Sequence, residues 1–80
     1  MSVTAKGNRI VLLRVAIGMK QTPFAKKIGR SERTIGSWEK EKSEPSLNDL
    51  EKMVEMGANP EFLLTGKGSI LREGFQRGSS

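Results

Sequence analysis

Residues 26–40 read "KKIGRSERTIGSWEK", and the way this stretch divides into helices decides the fold. Two helix-forming segments meet at Gly29. The second opens on Ser31, a residue suited to cap the free N–H groups of a helix start. Thr34, Ile35 and Trp38 follow at helical spacing and give the segment one face for a core. Upstream, "TPFAKKI" (22–28) places Phe24, Ala25 and Ile28 together, with Thr22 as N-cap and Pro23 at the first helical position. The turn between the two segments is too short for antiparallel packing. The helices must cross steeply, with glycine letting the backbone turn, which is the helix-turn-helix arrangement.

Further helices flank this pair. Lys6 to Ile17 carries Ile10, Leu13 and Ile17 on one face, with Gly18 as its stop. After "EKSEPS", broken by Pro45, Ser46 caps "LNDLEKMVEM", whose Leu47, Leu50, Met53 and Val54 share a face. Asp49, three residues after Ser46, completes an approximate capping box. Gly57 ends this helix, and Asn59 and Pro60 start a short fifth one, "NPEFLL". Strand and hairpin signals are weak throughout. The expectation is an all-α, compact five-helix domain over residues 7–66, with a flexible arm at 1–6 and a flexible tail or linker at 67–80.

Composition narrows the function. The 80 residues contain neither cysteine nor histidine. That removes disulfides, thiolate metal sites and the commonest general base, so neither a metal nor a cofactor is expected, and an enzyme has little to work with. No apolar run is long enough to span a membrane, and a cytoplasmic protein is the simplest reading. The net charge of +5 is unevenly placed. Residues 1–38 hold eight basic groups against Glu32 alone, a net +7, whereas residues 39–80 hold six basic and eight acidic groups, a net −2. The first half is thus suited to a polyanion.

The stretch Lys20–Leu50 resembles the helix-turn-helix of the phage repressor and Cro family, the wider Xre-like group. The matching residues are Gln21, Ala25, Gly29, Ser31, Ile35, Trp38, Glu39 and Pro45. "GNRI" (7–10) and "EFLLTGKG" (61–68) are similar to the beginning and end of such lambda-repressor-like domains. The resemblance implies a transcriptional regulator, a repressor of phage type, binding a near-palindromic double-stranded DNA operator as a homodimer. Half-sites would lie about one turn, roughly 34 Å, apart. A longer phage repressor would continue into a C-terminal domain. The alternative is a protein-interaction module of antitoxin type.

The resemblance also assigns roles. Helix three would enter the major groove, with Ser31, Glu32, Arg33 and Ser37 reaching base edges. Arg33 suits guanine and Glu32 suits the exocyclic amine of cytosine. Glu32 could instead serve only as a charge at the helix N-terminus. Gln21 would meet phosphate at the start of helix two, with Lys20, Arg30 and Lys40 as phosphate neighbours and Lys6 and Arg9 helping from the N-terminal side. Glu39 would pair with Arg14. Phe62, Leu63 and Leu64 are the dimer candidates, although core packing would also account for them. Trp38 shares the Ile35 face, which favours a core role over base stacking. Glu41 stands where the family has glycine, and a left-handed cap would strain it, so a different helix ending is expected.

Overall fold

Gly29 makes the turn demanded of it. In the computed structural model, which describes residues 5–74, its φ is +88°. It separates α2 (Gln21–Ile28) from α3 (Glu32–Glu39); the other helices are α1 (Lys6–Ala16), α4 (Leu47–Glu55) and α5 (Pro60–Thr65). The Ala25 carbonyl accepts from both the Gly29 and Arg30 N–H groups at 2.8 and 2.9 Å, closing α2 tightly enough for α3 to start two residues later. The Lys52 ammonium, reaching across from α4, donates to the Ile28 carbonyl at 2.9 Å. A cation thus sits on the negative end of α2, where the helix dipole favours it.

The apolar faces read from the sequence converge in one core. Ile10 and Leu13 of α1, Phe24, Ala25 and Ile28 of α2, Ile35 and Trp38 of α3, Met53 of α4, Ala58, and Leu63 of α5 are all buried. α3 packs on both α1 and α2 and so rests on two other helices. Phe62 is buried as well. Leu47 departs from expectation: it is the first residue of α4 and lies 71% exposed, beyond the edge of the core.

Two helix starts differ in quality. Ser31 accepts from the Thr34 N–H at 3.2 Å and caps α3 as expected. α2 begins earlier than expected: its N-cap is Lys20, which supplies no side-chain bond, and Thr22 lies inside the first turn. Pro23 then occupies the third helical position, where the missing N–H still costs nothing. The Thr22 hydroxyl is released for another partner.

At its C-terminus α3 overturns the expectation about Glu41. The residue does adopt the left-handed conformation, at φ +63°. Its N–H donates to Trp38 and that of Lys42 to Ser37, at 3.0 and 2.9 Å. This is the Schellman ending that usually takes glycine. The strain, about 1–2 kcal/mol for a side chain in this region, is offset by contacts. The Glu41 carboxylate accepts from the Gly7 N–H at 3.3 Å and serves the start of α1, whose N-cap Ala5 has no side chain able to do so. Gly7 must be glycine for a related reason. A Cβ there would collide with the Glu39 carbonyl oxygen and lie 2.9 Å from its carbon.

Within the segment expected to be a tail, residues 69–72 lie back against the domain. Ala58 and Leu71 form an antiparallel bridge. The Asn59 N–H donates to Ile70 at 2.9 Å and that of Arg72 to Gly57 at 2.8 Å, and Ile70 and Leu71 pack against the core. Two adjacent apolar residues are too short a signal to show periodicity in the sequence. Residues 1–4 and 75–80, most of the expected arm and part of the tail, lie outside the described residues; Lys6 opens α1.

Asp49 links the turn to α4. It is 3% exposed and takes both Arg30 nitrogens, Nε and Nη2, at 3.0 Å each. It also accepts from the Ser46 N–H at 2.8 Å and the Ser46 hydroxyl at 2.9 Å, while its own N–H donates to Ser46 Oγ at 3.2 Å. Burial pushes this carboxyl up, but Arg30 and the two Ser46 donors outweigh burial and hold it below its ordinary 3.8. Arg30 is correspondingly raised.

Two outcomes follow for stability. Gly7→Ala, although alanine is the better helix former, should lower stability by about 1–3 kcal/mol, read by urea unfolding; a neutral result would mean that α1 can move off α3. Because the folded Asp49 carboxyl lies below its unfolded value, its stabilisation is full above about pH 5 and is lost as pH falls through the folded value. In thermal melts, the gap between the parent and Asp49→Asn should therefore be wide at pH 7 and narrow progressively below pH 3.8. An equal gap at pH 7 and pH 2 would show that the ionised pairing contributes nothing.

Candidate nucleic-acid interface

α3 has two chemically separate sides. Ile35 and Trp38 point into the core, while Glu32 and Arg33 are exposed and Gly36 and Ser37 half-exposed. At 100° per residue these four share the outward arc. A Cβ built on Gly36 would meet nothing within 4 Å, so no contact inside the chain requires glycine there.

The inward side is fixed by more than apolar packing. Glu39, at the end of α3, accepts from Arg14 Nε at 2.7 Å and from Arg14 Nη2 at 3.4 Å. The two side chains are 15% and 9% exposed. Gln21 Nε2 donates to the same carboxylate at 2.7 Å, and Arg14 Nη1 to the Met19 carbonyl at 3.1 Å. One carboxylate therefore holds α1, α2 and α3 together. The Arg14–Glu39 pair implied by the resemblance is present in the structure, with Gln21 as an added member. A charge pair this shielded differs from an exposed one, which would contribute little.

The arginines sort themselves by what they are already doing. Arg9, expected near phosphate, is instead 7% exposed and donates to the Leu63 carbonyl at 3.1 Å, near the end of α5. Arg30, also expected at phosphate, grips Asp49. Arg72 Nε donates to the Val54 carbonyl at 3.0 Å. Among the described arginines, Arg33 alone makes no hydrogen bond or ion pair within the chain.

The remaining candidates are partly committed. Ser31 Oγ caps α3 and lies 3.0 Å from Thr34 Oγ1. Ser37 Oγ lies 2.8 Å from Ser43 Oγ, which leaves the hydroxyl with capacity for further hydrogen bonds. Lys20 and Lys40 are exposed at the N-cap of α2 and the C-cap of α3. Glu32 Oε1 accepts from Thr22 Oγ1 at 2.9 Å. The contact is not legible from spacing, by which Thr22 reads as the α2 cap; its signal is that both residues stand in the opening turns of successive helices of a helix-turn-helix. Of the dimer candidates, Phe62 and Leu63 are buried in the core, whereas Leu64 is 64% exposed.

A groove of about 520 Å³ opens elsewhere, between α1, the α3–α4 loop and α5. Its charged groups are occupied: Lys6 with Glu44, Glu41 with the Gly7 N–H and Arg9 with Leu63. It holds no arrangement of nucleophile, base and orienting group. Among the described residues, no helix is long and apolar enough to cross a membrane.

Comparison with known proteins agrees with this geometry. Two solved structures are similar over nearly the whole domain. The solution structure of the DNA-binding domain (1–76) of the P22 c2 repressor is 28% identical, with a TM-score of 0.73, covering 82% of this chain and 88% of that one. The crystal structure of the P22 c2 repressor in complex with synthetic operator 9T is 27% identical, with a TM-score of 0.72, covering 81% and 100%. No curated protein sequence matches the chain. The helix-turn-helix family model matches residues 10–56, from the buried face of α1 to the end of α4, and the chain belongs to that family.

Proposed function

We propose that this chain binds double-stranded DNA sequence-specifically and acts as a transcriptional repressor of phage type. α3 would lie in the major groove, with Ser31, Glu32, Arg33 and Ser37 toward base edges. The observation that carries this reading is Arg33: an uncommitted guanidinium on the outward first turn of a helix otherwise locked from behind. A guanidinium in that position can take guanine through two parallel hydrogen bonds. Support also comes from the similarity to a repressor crystallised with its operator.

Phosphate contacts fall to Lys20, Gln21 and Lys40. No side chain caps the N-terminus of α2, and the helix dipole favours an anion there. Gln21 gives one amide hydrogen to Glu39 and keeps the other. Arg30 and Arg9 leave this set because each neutralises or caps a group inside the chain. The site of action is the cytoplasm, where the operator is. A regulatory rather than enzymatic role fits the family.

A second copy of the chain is the proposed protein partner. Leu47 and Leu64 are exposed, and a shallow hollow between them is lined by Leu50, Val54 and Pro60. This surface keeps Leu64 and, largely buried at its lining, Leu63; Phe62 is taken by the core.

Selection from random DNA at several salt concentrations tests the main reading. The parent should return a near-palindromic site, and Arg33→Ala should relax it at one base pair in each half-site, by about 1–3 kcal/mol. A flat preference with a steep salt slope would mean nonspecific polyanion binding. Sedimentation across a concentration series tests the second copy. Leu64→Ser should weaken self-association and operator affinity without lowering the melting temperature. A strict monomer at high concentration, with and without operator, would defeat the dimer.

A further inference from the structure

We infer that Thr22 is a positioning residue for sequence recognition: its hydroxyl holds the Glu32 carboxylate in the orientation from which Glu32 reads a base. The inference rests on the proposed reading of Glu32 as a base contact and goes beyond it by naming what orients that contact.

Glu32 is an exposed side chain with three rotatable bonds on the first residue of α3. Left alone it would sample many rotamers, and fixing one on binding would cost conformational entropy. Thr22 removes much of that freedom. Its Oγ1 donates to Glu32 Oε1 at 2.9 Å. This leaves Oε2 to accept from an exocyclic amine in the groove.

Both ends of this bond are well supported. Thr22 lies in the first turn of α2, beside Gln21, which is bound to Glu39. Glu32 follows the Ser31 cap directly. The carboxylate also stands near two helix N-termini, its own and that of α2, where a negative charge is favoured. This answers the cost of keeping an acid among cations. Thr22 and Glu32 are ten residues apart, and the steep crossing made by Gly29 is what brings their side chains together.

The test is site selection followed by affinity measurement on the full chain, with the parent, Glu32→Ala, Thr22→Val and Thr22→Ser. Thr22→Val keeps shape and removes the donor; Thr22→Ser keeps the donor. Thr22→Val should lose about fivefold of the preference at the same base pair that Glu32→Ala relaxes. Thr22→Ser should retain most of it, and Thr22→Val should add nothing in the Glu32→Ala background. Melting temperatures should stay close to the parent. If Glu32→Ala relaxes one base pair while Thr22→Val does not, Glu32 needs no support and the positioning role is wrong. If Thr22→Val lowers affinity equally on all sequences, the hydroxyl serves phosphate binding and the positioning role is again wrong. If Glu32→Ala leaves every preference unchanged, both the base-reading role of Glu32 and the inference built on it fall together.

Discussion

One carboxylate sets the geometry of this domain. Glu39 binds Arg14 of α1 and Gln21 of α2 while belonging to α3, so the helix offered to DNA is tied at its far end to both helices beneath it. Apolar contacts alone would let α3 slide or roll by a fraction of a turn, because burial is non-directional. A largely shielded carboxylate with directional donors does not allow that without breaking bonds. Ile35 and Trp38 supply the burial, and Glu39 supplies the register.

The other end of α3 is held by different means. Ser31 caps it, and Gly29 and the Arg30–Asp49 pair fix the turn that precedes it. Asp49 belongs to the capping box of α4, so the start of α4 and the turn before α3 share one carboxyl group. Lys52 of α4 then closes α2. α4 therefore fixes the turn on which α3 begins.

Most of this fold was legible in the sequence, because the faces of α1, α2 and α3 repeat at helical spacing and their punctuation is local. Ser31, Ser46 and Gly29 act where they stand. What could not be read were partners distant in sequence. Arg9 and Arg30 look like any exposed cations until the chain folds, when Leu63 and Asp49 claim them. Glu41 misled in the opposite sense: its left-handed geometry is tolerated because its carboxylate meets the Gly7 N–H, 34 residues away. The outward residues of α3 were legible by position, whereas the bond between Thr22 and Glu32 depends on the crossing angle, which spacing alone does not give.

The bare flank of α3 at Gly36 has a consequence for how such a domain can change. With nothing near a side chain added there, and with Ile35, Trp38 and Glu39 carrying the attachment, the outward positions form a nearly independent set. Substitutions among them leave the buried scaffold in place, so new variants can be sampled without first losing the folded protein. A lineage can thus drift toward a different target one exposed residue at a time, and diverging relatives can come to ignore each other's sites while keeping the same backbone.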